Sequence, residues 1–139
     1  MPQITKEYKF CAAHKYWNNK WDKKKNYEVF GDDIYNHGHN YVLRVTVKGE
    51  IDPDSGFVVS LMWLNKIINK NIIKVLDHKQ IDQDIDWFSN KSPSTENLVG
   101  FIWNKLSPFF EDKDSILHKI HLRETPTIYT EYYGPGEEK

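Results

Sequence analysis

The order of periodicities along this 139-residue chain predicts an α+β fold, ββααββ, with a four-stranded antiparallel sheet and two helices on one face. Three observations carry the prediction. Residues alternate apolar and polar at both ends of the chain, as on half-buried strands; the middle holds two runs at helical spacing; turn residues and prolines separate them. At this length the chain is most simply one domain, 1–139.

The first extended run is Ile4 to Ala13, ending at His14. Lys15 to Phe30 is a polar excursion in which Lys20, Asp22, Lys23, Lys24 and Lys25 mix with aromatics, so its charges read as a solvated face around a short helix. From His39 the chain alternates, with Tyr41, Leu43, Val45 and Val47 on one side and Asn40, Arg44, Thr46 and Lys48 on the other. Asp52-Pro53-Asp54-Ser55-Gly56 is a turn, expected to close a hairpin with Phe57, Val58 and Val59. In Ser60 to Leu76, Leu61, Leu64, Ile68, Ile72 and Val75 recur at helical spacing behind an N-cap at Ser60. Pro93-Ser94-Thr95-Glu96-Asn97 starts the second helix, whose stripe is Leu98, Phe101, Ile102 and Leu106 and whose stop is Pro108. Ile116, His118, Ile120, Leu122 and Glu124 then alternate with Leu117, Lys119, His121 and Arg123, and a last strand runs from Ile128 to Tyr133. Gly134 and Pro135 end the order, and Glu137 to Lys139 are expected to fray.

Chemistry enters at His37-Gly38-His39, with a third histidine at His14. Two histidines one residue apart point the same way only on an extended strand, and here they share parity with the apolar set. If the first two strands pair, His14 meets them, and three imidazoles around zinc leave a coordination position for substrate or water, the catalytic pattern. Chance spacing or solvated loop histidines is the alternative. Glu124 shares the parity of Ile120 and Leu122; a carboxylate on a buried face needs donors, so it is either an ion-pair partner or a ligand anchor.

Composition narrows the partners. A net charge of −1 and 39% hydrophobic residues argue against a nucleic-acid partner and against disorder. No apolar run reaches membrane-spanning length and no signal-peptide region opens the chain, so a cytoplasmic location is expected. The single cysteine, Cys11, excludes an internal disulfide and a cysteine-rich zinc site. Five tryptophans and eight tyrosines suit aromatic walls or a subunit interface as well as an ordinary core.

Several motifs coincide in order: Phe10-Cys11-Ala12-Ala13-His14, Phe30-Gly31, His37-Gly38-His39-Asn40-Tyr41, Gly49-Glu50-Ile51-Asp52-Pro53, Leu76-Asp77-His78-Lys79, Ser94-Thr95-Glu96-Asn97 with Ile102-Trp103, and Glu124-Thr125. Together, from about Tyr8 to Tyr133, the chain resembles the family of 6-pyruvoyl-tetrahydropterin and 6-carboxytetrahydropterin synthases. The resemblance implies a tunnelling fold assembled into stacked rings, commonly a homohexamer built as a dimer of trimers. It implies 7,8-dihydroneopterin triphosphate as substrate, with loss of triphosphate toward tetrahydrobiopterin or queuosine synthesis. By the same resemblance His14, His37 and His39 would bind zinc, Glu124 would anchor the pterin, Ser94 and Thr95 would contact its ring, and Asp77 with His78 would transfer protons. Taken alone, Asp77 and His78 read more readily as an ordinary helix cap and a surface histidine than as a proton-transfer pair.

The chain departs from the family at one point. Members usually place a cysteine, the general base, shortly before His-Gly-His; alignment on Phe30-Gly31 puts Asp33 there, while Cys11 should face away from His14. Asp33 is then the base, or His78 carries the proton transfer while Asp33 positions water or metal, or the chain is a catalytically impaired pterin-binding paralogue. Motif details divide between the two product branches.

Overall fold

The computed structural model describes residues 1–136; the expected fraying of Glu137 to Lys139 lies outside the described residues. In chain order the elements are β1 (Gln3–His14), α1 (Lys23–Phe30), β2 (His37–Lys48), α2 (Leu61–Ile68), α3 (Lys74–Leu76), β3 (Lys79–Gln80), α4 (Ile81–Asp84), α5 (Thr95–Leu106), β4 (Ile116–Thr125) and β5 (Ile128–Tyr132). The ββααββ frame stands, with additions. The sheet order is β3-β1-β2-β4-β5, so the four antiparallel strands gain a fifth, the two-residue β3, which runs parallel to β1 through Ala12 and Ala13.

One face of the sheet is apolar because alternation places it there. Tyr8 and Phe10 of β1, Tyr41, Leu43, Val45 and Val47 of β2, and Ile120 and Leu122 of β4 are buried against the helices. The helices return Leu64, Ile68, Ile72 and Leu76, then Leu98, Ile102 and Leu106, to the same core. Ser60 caps α2, its hydroxyl accepting from the Trp63 amide at 3.3 Å, and Ser94 caps α5 through the Asn97 amide at 3.2 Å. The expected single helix from 60 to 76 is interrupted by a π-helical stretch, Asn69–Ile73, where the Asn71 side chain donates to the Ile67 carbonyl at 2.8 Å.

Three further expectations change. The turn at Asp52 forms, with the Gly56 amide on the Asp52 carbonyl at 2.7 Å, but residues 57–59 add no strand. Val59 instead turns into the core and leads directly to the Ser60 cap. Pro108 does not stop the chain's helical course; it sits in the first turn of a 3₁₀ segment, Ser107–Phe110, where a missing N–H costs nothing. In β4 the strict alternation fails at His118: Thr46 pairs with Lys119 but Val47 with Leu117, a bulge that turns Leu117 inward and leaves Ile116 outside.

Candidate metal centre

β1 and β2 pair antiparallel with His14 opposite His37 and Ala12 opposite His39. That register, set by burial of Tyr8, Phe10, Tyr41 and Leu43, brings three imidazoles to the same end of the same face. β4 adds Glu124. Arg123 pairs with Tyr129 and Thr125 with Ile128, so Glu124 has no partner on β5, and this bulge aims its carboxylate at the histidines.

The ligand atoms of His14, His37, His39 and Glu124 all lie within 4.8 Å of one another. Nε2 of His39 is 2.8 Å from Glu124 Oε1 and 3.2 Å from His14 Nε2; His14 Nε2 is 3.5 Å from the same carboxylate oxygen. Nδ1 of His14 donates to the Pro93 carbonyl at 2.7 Å, and Nδ1 of His37 donates to the Tyr35 carbonyl at 2.8 Å. Both rings therefore turn an Nε2 lone pair inward, as metal-ligating histidines do. Acceptors converging on acceptors need a cation or a proton between them, so the donor set fits a small divalent metal with nitrogen and oxygen preferences.

The electrostatics agree. Glu124 is held below the usual carboxylate range, chiefly by its hydrogen bond with His14, and further by the charges of His39, His14 and His37. Burial lowers His39. A lowered carboxylate beside a lowered His39 imidazole favours uptake of a metal with few protons to displace. Two phenols border the cluster. Tyr16 lies 4.9 Å from the His14 ring and Tyr41 5.6 Å from the His39 ring, centroid to centroid. Burial, followed by the Glu124 charge, pushes both hydroxyls well above the ordinary tyrosine value, so they remain O–H donors.

The other sequence-selected residues are placed as follows. Asp33 stands on the 3₁₀ turn Gly31–Ile34, its carboxylate 3.8 Å from His37 Nε2 and more than half exposed. The Tyr16 amide on the Asp33 carbonyl, at 2.8 Å, ties that turn to the end of β1. Asp77 and His78 form an ion pair at 3.0 Å, and His78 adopts φ 63°, the left-handed region. Its amide donates to the Cys11 carbonyl at 2.6 Å, while the Cys11 amide donates to Asp77 Oδ1 at 2.9 Å. His78 and His39 line the same hollow, about 550 Å³, beside Cys11 and Lys79. Cys11 is exposed and His14 buried, and the thiol meets Asn40 Oδ1 at 2.9 Å.

Ser94 and Thr95 are differently engaged. The Ser94 hydroxyl caps α5, and the Thr95 hydroxyl donates to Glu96 Oε1 at 3.1 Å while accepting from Thr130 at 3.0 Å. Glu124, which the resemblance makes a ring anchor, stands among the histidines, where the sequence reading left a position open. Sequence reasoning missed the carbonyls of Pro93 and Tyr35, since a backbone acceptor leaves no trace in residue identity. It also missed Asn26, fully buried, whose amide nitrogen donates to the carbonyls of Asn18 at 3.1 Å, Trp21 at 3.3 Å and Asp22 at 3.0 Å and whose oxygen accepts from the Asn18 amide at 2.7 Å.

A helix-backed antiparallel sheet with three imidazoles and a carboxylate at one strand end defines a metal-site α+β protein. The family model described as 6-pyruvoyl tetrahydropterin synthase matches residues 3–135. The 6-pyruvoyl tetrahydrobiopterin synthase of Drosophila melanogaster is 35% identical over 134 residues, 95% of this chain and 79% of its own length. The human protein of the same name is 34% identical over 134 residues, 95% and 91% of the two chains. A 6-carboxy-5,6,7,8-tetrahydropterin synthase of Bacillus subtilis is 35% identical over 101 residues, 69% of this chain and 66% of its own. The solved structure of Caenorhabditis elegans 6-pyruvoyl tetrahydropterin synthase superposes with a TM-score of 0.85 at 33% identity, covering 96% of this chain and 97% of that one. This chain belongs to the 6-pyruvoyl tetrahydropterin synthase family, and the synthases of that family are lyases. Among the described residues no helix is long and apolar enough to cross a membrane.

Proposed function

We propose that the chain is a zinc-dependent lyase that eliminates triphosphate from 7,8-dihydroneopterin triphosphate, acting in the cytoplasm as a single-domain protomer of a homohexamer. The observation that carries the proposal is the convergence of His14, His37, His39 and Glu124 within 4.8 Å. The pyruvoyl product is favoured over the carboxy product because relatives named for the former match along 95% of the chain, whereas the Bacillus subtilis relative named for the latter matches along 69%.

His14, His37 and His39 would hold the zinc, fixed from behind by the Pro93 and Tyr35 carbonyls. Bound there, zinc would polarise the substrate's side-chain oxygens and acidify the adjoining C–H. Asp33, beside His37 and open to solvent, is in position to take up the released proton. Asp77 holds His78 by Nδ1, leaving Nε2 to give or accept a proton in the hollow it shares with His39. Glu124 would move from its contact with His39 to bind the pterin edge through two N–H donors, which clears a ligand position as the ring enters. Ser94 and Thr95 would flank that ring at the start of α5.

Assembly follows from the edges. Among the described residues β5 has no outer neighbour, and Ile128 and Tyr129 on it are exposed, as is His78 at the other side of the sheet.

Incubation of the zinc-loaded protein with dihydroneopterin triphosphate tests the proposal. Zinc-dependent release of triphosphate that disappears in His37→Ala supports it, and mass spectrometry separates a pyruvoyl pterin from a carboxypterin with acetaldehyde. Tight pterin binding with no phosphate release would instead establish a silent binder.

A further inference from the structure

Tyr41 carries an unmet donor beside the histidines. Its side chain is fully buried, and among the described residues its hydroxyl has no hydrogen-bond partner. A buried O–H without an acceptor has given up water and received nothing back, a larger loss than the bond itself would have gained. His121 Nε2 is buried without a partner too, but Nδ1 of that ring meets Glu131 at 3.1 Å, so Nε2 need only be a lone pair. Packing does not account for the Tyr41 hydroxyl either, since a phenylalanine would stack on Phe10 equally well.

The surroundings name a partner for it. The Tyr41 ring stacks on Phe10 with centroids 4.9 Å apart and meets the His39 ring edge-on at 5.6 Å. Val42 of β2 pairs with Arg123 of β4, so Tyr41 and Glu124, the next residues along those antiparallel strands, are neighbours on the helix-facing side. The Glu124 charge is felt at the phenol, second only to burial in pushing it up. Both histidine contacts of Glu124, at 2.8 Å to His39 and 3.5 Å to His14, fall on Oε1 and need a proton on an imidazole. A cation on those nitrogens takes the place of that proton. The carboxylate is then short of a donor beside a donor short of an acceptor.

We infer that Tyr41 is the positioning residue for Glu124: when the histidines hold a cation, the carboxylate leaves His39 and accepts a hydrogen bond from the Tyr41 hydroxyl, which holds it in place for a ligand. A carboxylate has about four lone-pair sites, so one bond to Tyr41 leaves room for two ligand N–H groups. The inference rests on the proposed metal centre and deepens it by naming what keeps the pterin anchor still.

Tyr41→Phe removes only the oxygen, and Tyr8→Phe makes the same change at a buried ring whose hydroxyl already donates to Asn65 Oδ1 at 2.6 Å. Thermal unfolding of both variants and the parent, metal-free and zinc-loaded, tests the inference without turnover. Tyr8→Phe should lower the midpoint equally in the two states. Tyr41→Phe should raise it by about 2–4 °C in the metal-free protein, where an orphaned donor is deleted, and lower it by a similar amount in the zinc-loaded one, where a bond to a carboxylate is lost. In a Glu124→Ala background the zinc-loaded loss should vanish. Neopterin, titrated into the zinc-loaded protein and followed by its fluorescence, should bind Tyr41→Phe about tenfold more weakly than the parent at equal zinc content, and Tyr8→Phe as well as the parent. A Tyr41→Phe midpoint that shifts alike in both states, or a zinc-loaded loss that survives Glu124→Ala, would sink the inference and leave the metal centre standing. A parent that takes up no zinc by metal analysis would bring both down.

Discussion

Two histidine–carboxylate pairs in this protein are built in opposite ways. His39 at the start of β2 and Glu124 at the bulge near the end of β4 meet largely buried, against the fully buried His14. Asp77 and His78 meet on a turn where His78 takes a backbone conformation that disfavours a side chain, and its imidazole is 81% exposed. The first arrangement holds lone pairs inward permanently, which suits a bound cation. The second holds a ring outward in solvent, which suits proton exchange, with Asp77 held below the usual carboxylate range chiefly by the Cys11 amide and then by His78.

The sharpest way to break that contrast is to remove one member of each. His14→Ala should abolish both bound zinc and zinc-dependent turnover, a loss of a hundredfold or more, because His14 is a central donor. His78→Ala should leave the zinc content intact and lower kcat by about a hundredfold to ten-thousandfold, the usual worth of a proton-transfer group. Metal analysis beside steady-state kinetics reads both. Zinc lost from the His78 variant would show that the two regions are one site. Asp33→Asn belongs to the same series: a loss of similar size with zinc retained makes Asp33 the base, and an unchanged rate leaves the task to His78.

A stability effect should come next, from the loop that neither pair contains. Asn26→Ala strips four hydrogen bonds from a fully buried position and takes the partner from the Asn18 amide and the Trp21 carbonyl, while the Asn18 and Asp22 carbonyls keep the backbone amides of Trp21 and Asn26. We expect a loss of about 2–3 kcal/mol, measured by denaturant unfolding, because buried backbone groups without partners cost more than the bonds gained. A smaller loss would mean that water replaces the side chain.

The difference between the two regions also explains what the sequence made legible. His37 and His39 could be placed because they share the parity of Tyr41, Leu43, Val45 and Val47 on β2, a pattern that apolar Val42 and buried Thr46 blur but do not hide, and the register with β1 then brings His14 to them. The ββααββ order and both N-caps were legible for the same reason, since period and capping are local properties. Bulges are not. Nothing in the residues of β4 announces that His118 and Glu124 are each skipped in the pairing, so the inward turn of Leu117 and the aim of Glu124 appear only when the strands are assembled. The two-residue β3 was hidden likewise, being defined by where Lys79 and Gln80 lie against β1. Residues 57–59 failed in the other direction: a turn and three apolar residues promised a hairpin, and burial of Val59 won.

His78 allows a finer test of the contrast. Glycine at that position relieves the left-handed strain, so His78→Gly should unfold later than His78→Ala by about 0.5–1 kcal/mol although neither keeps the imidazole. Thermal denaturation of the two variants side by side measures it. Equal stability would mean that the φ of 63° carries no penalty here, and that the turn is held by the Cys11 contacts alone.

A third histidine–carboxylate pair shows what such a contact is worth when it serves neither purpose. Glu131 on β5 takes hydrogen bonds from His121 Nδ1 and Lys119 Nζ, both at 3.1 Å, and these hold it below its ordinary value of 4.5, His121 first. A depressed carboxylate adds stability above the unfolded-state value and loses it as pH falls through the folded one. The contribution is therefore complete at pH 7, begins to fade near pH 4.5 and is gone below the depressed value. Because the Glu131 side chain is 37% exposed, solvent screens the pair and the gain at pH 7 should stay under about 1 kcal/mol. Urea unfolding of Glu131→Gln against the parent should show that gap at pH 7 and its closure once the pH falls below the depressed value. A gap that persists in acid would trace to packing of His121 against Tyr129, whose rings lie 4.6 Å apart, rather than to charge.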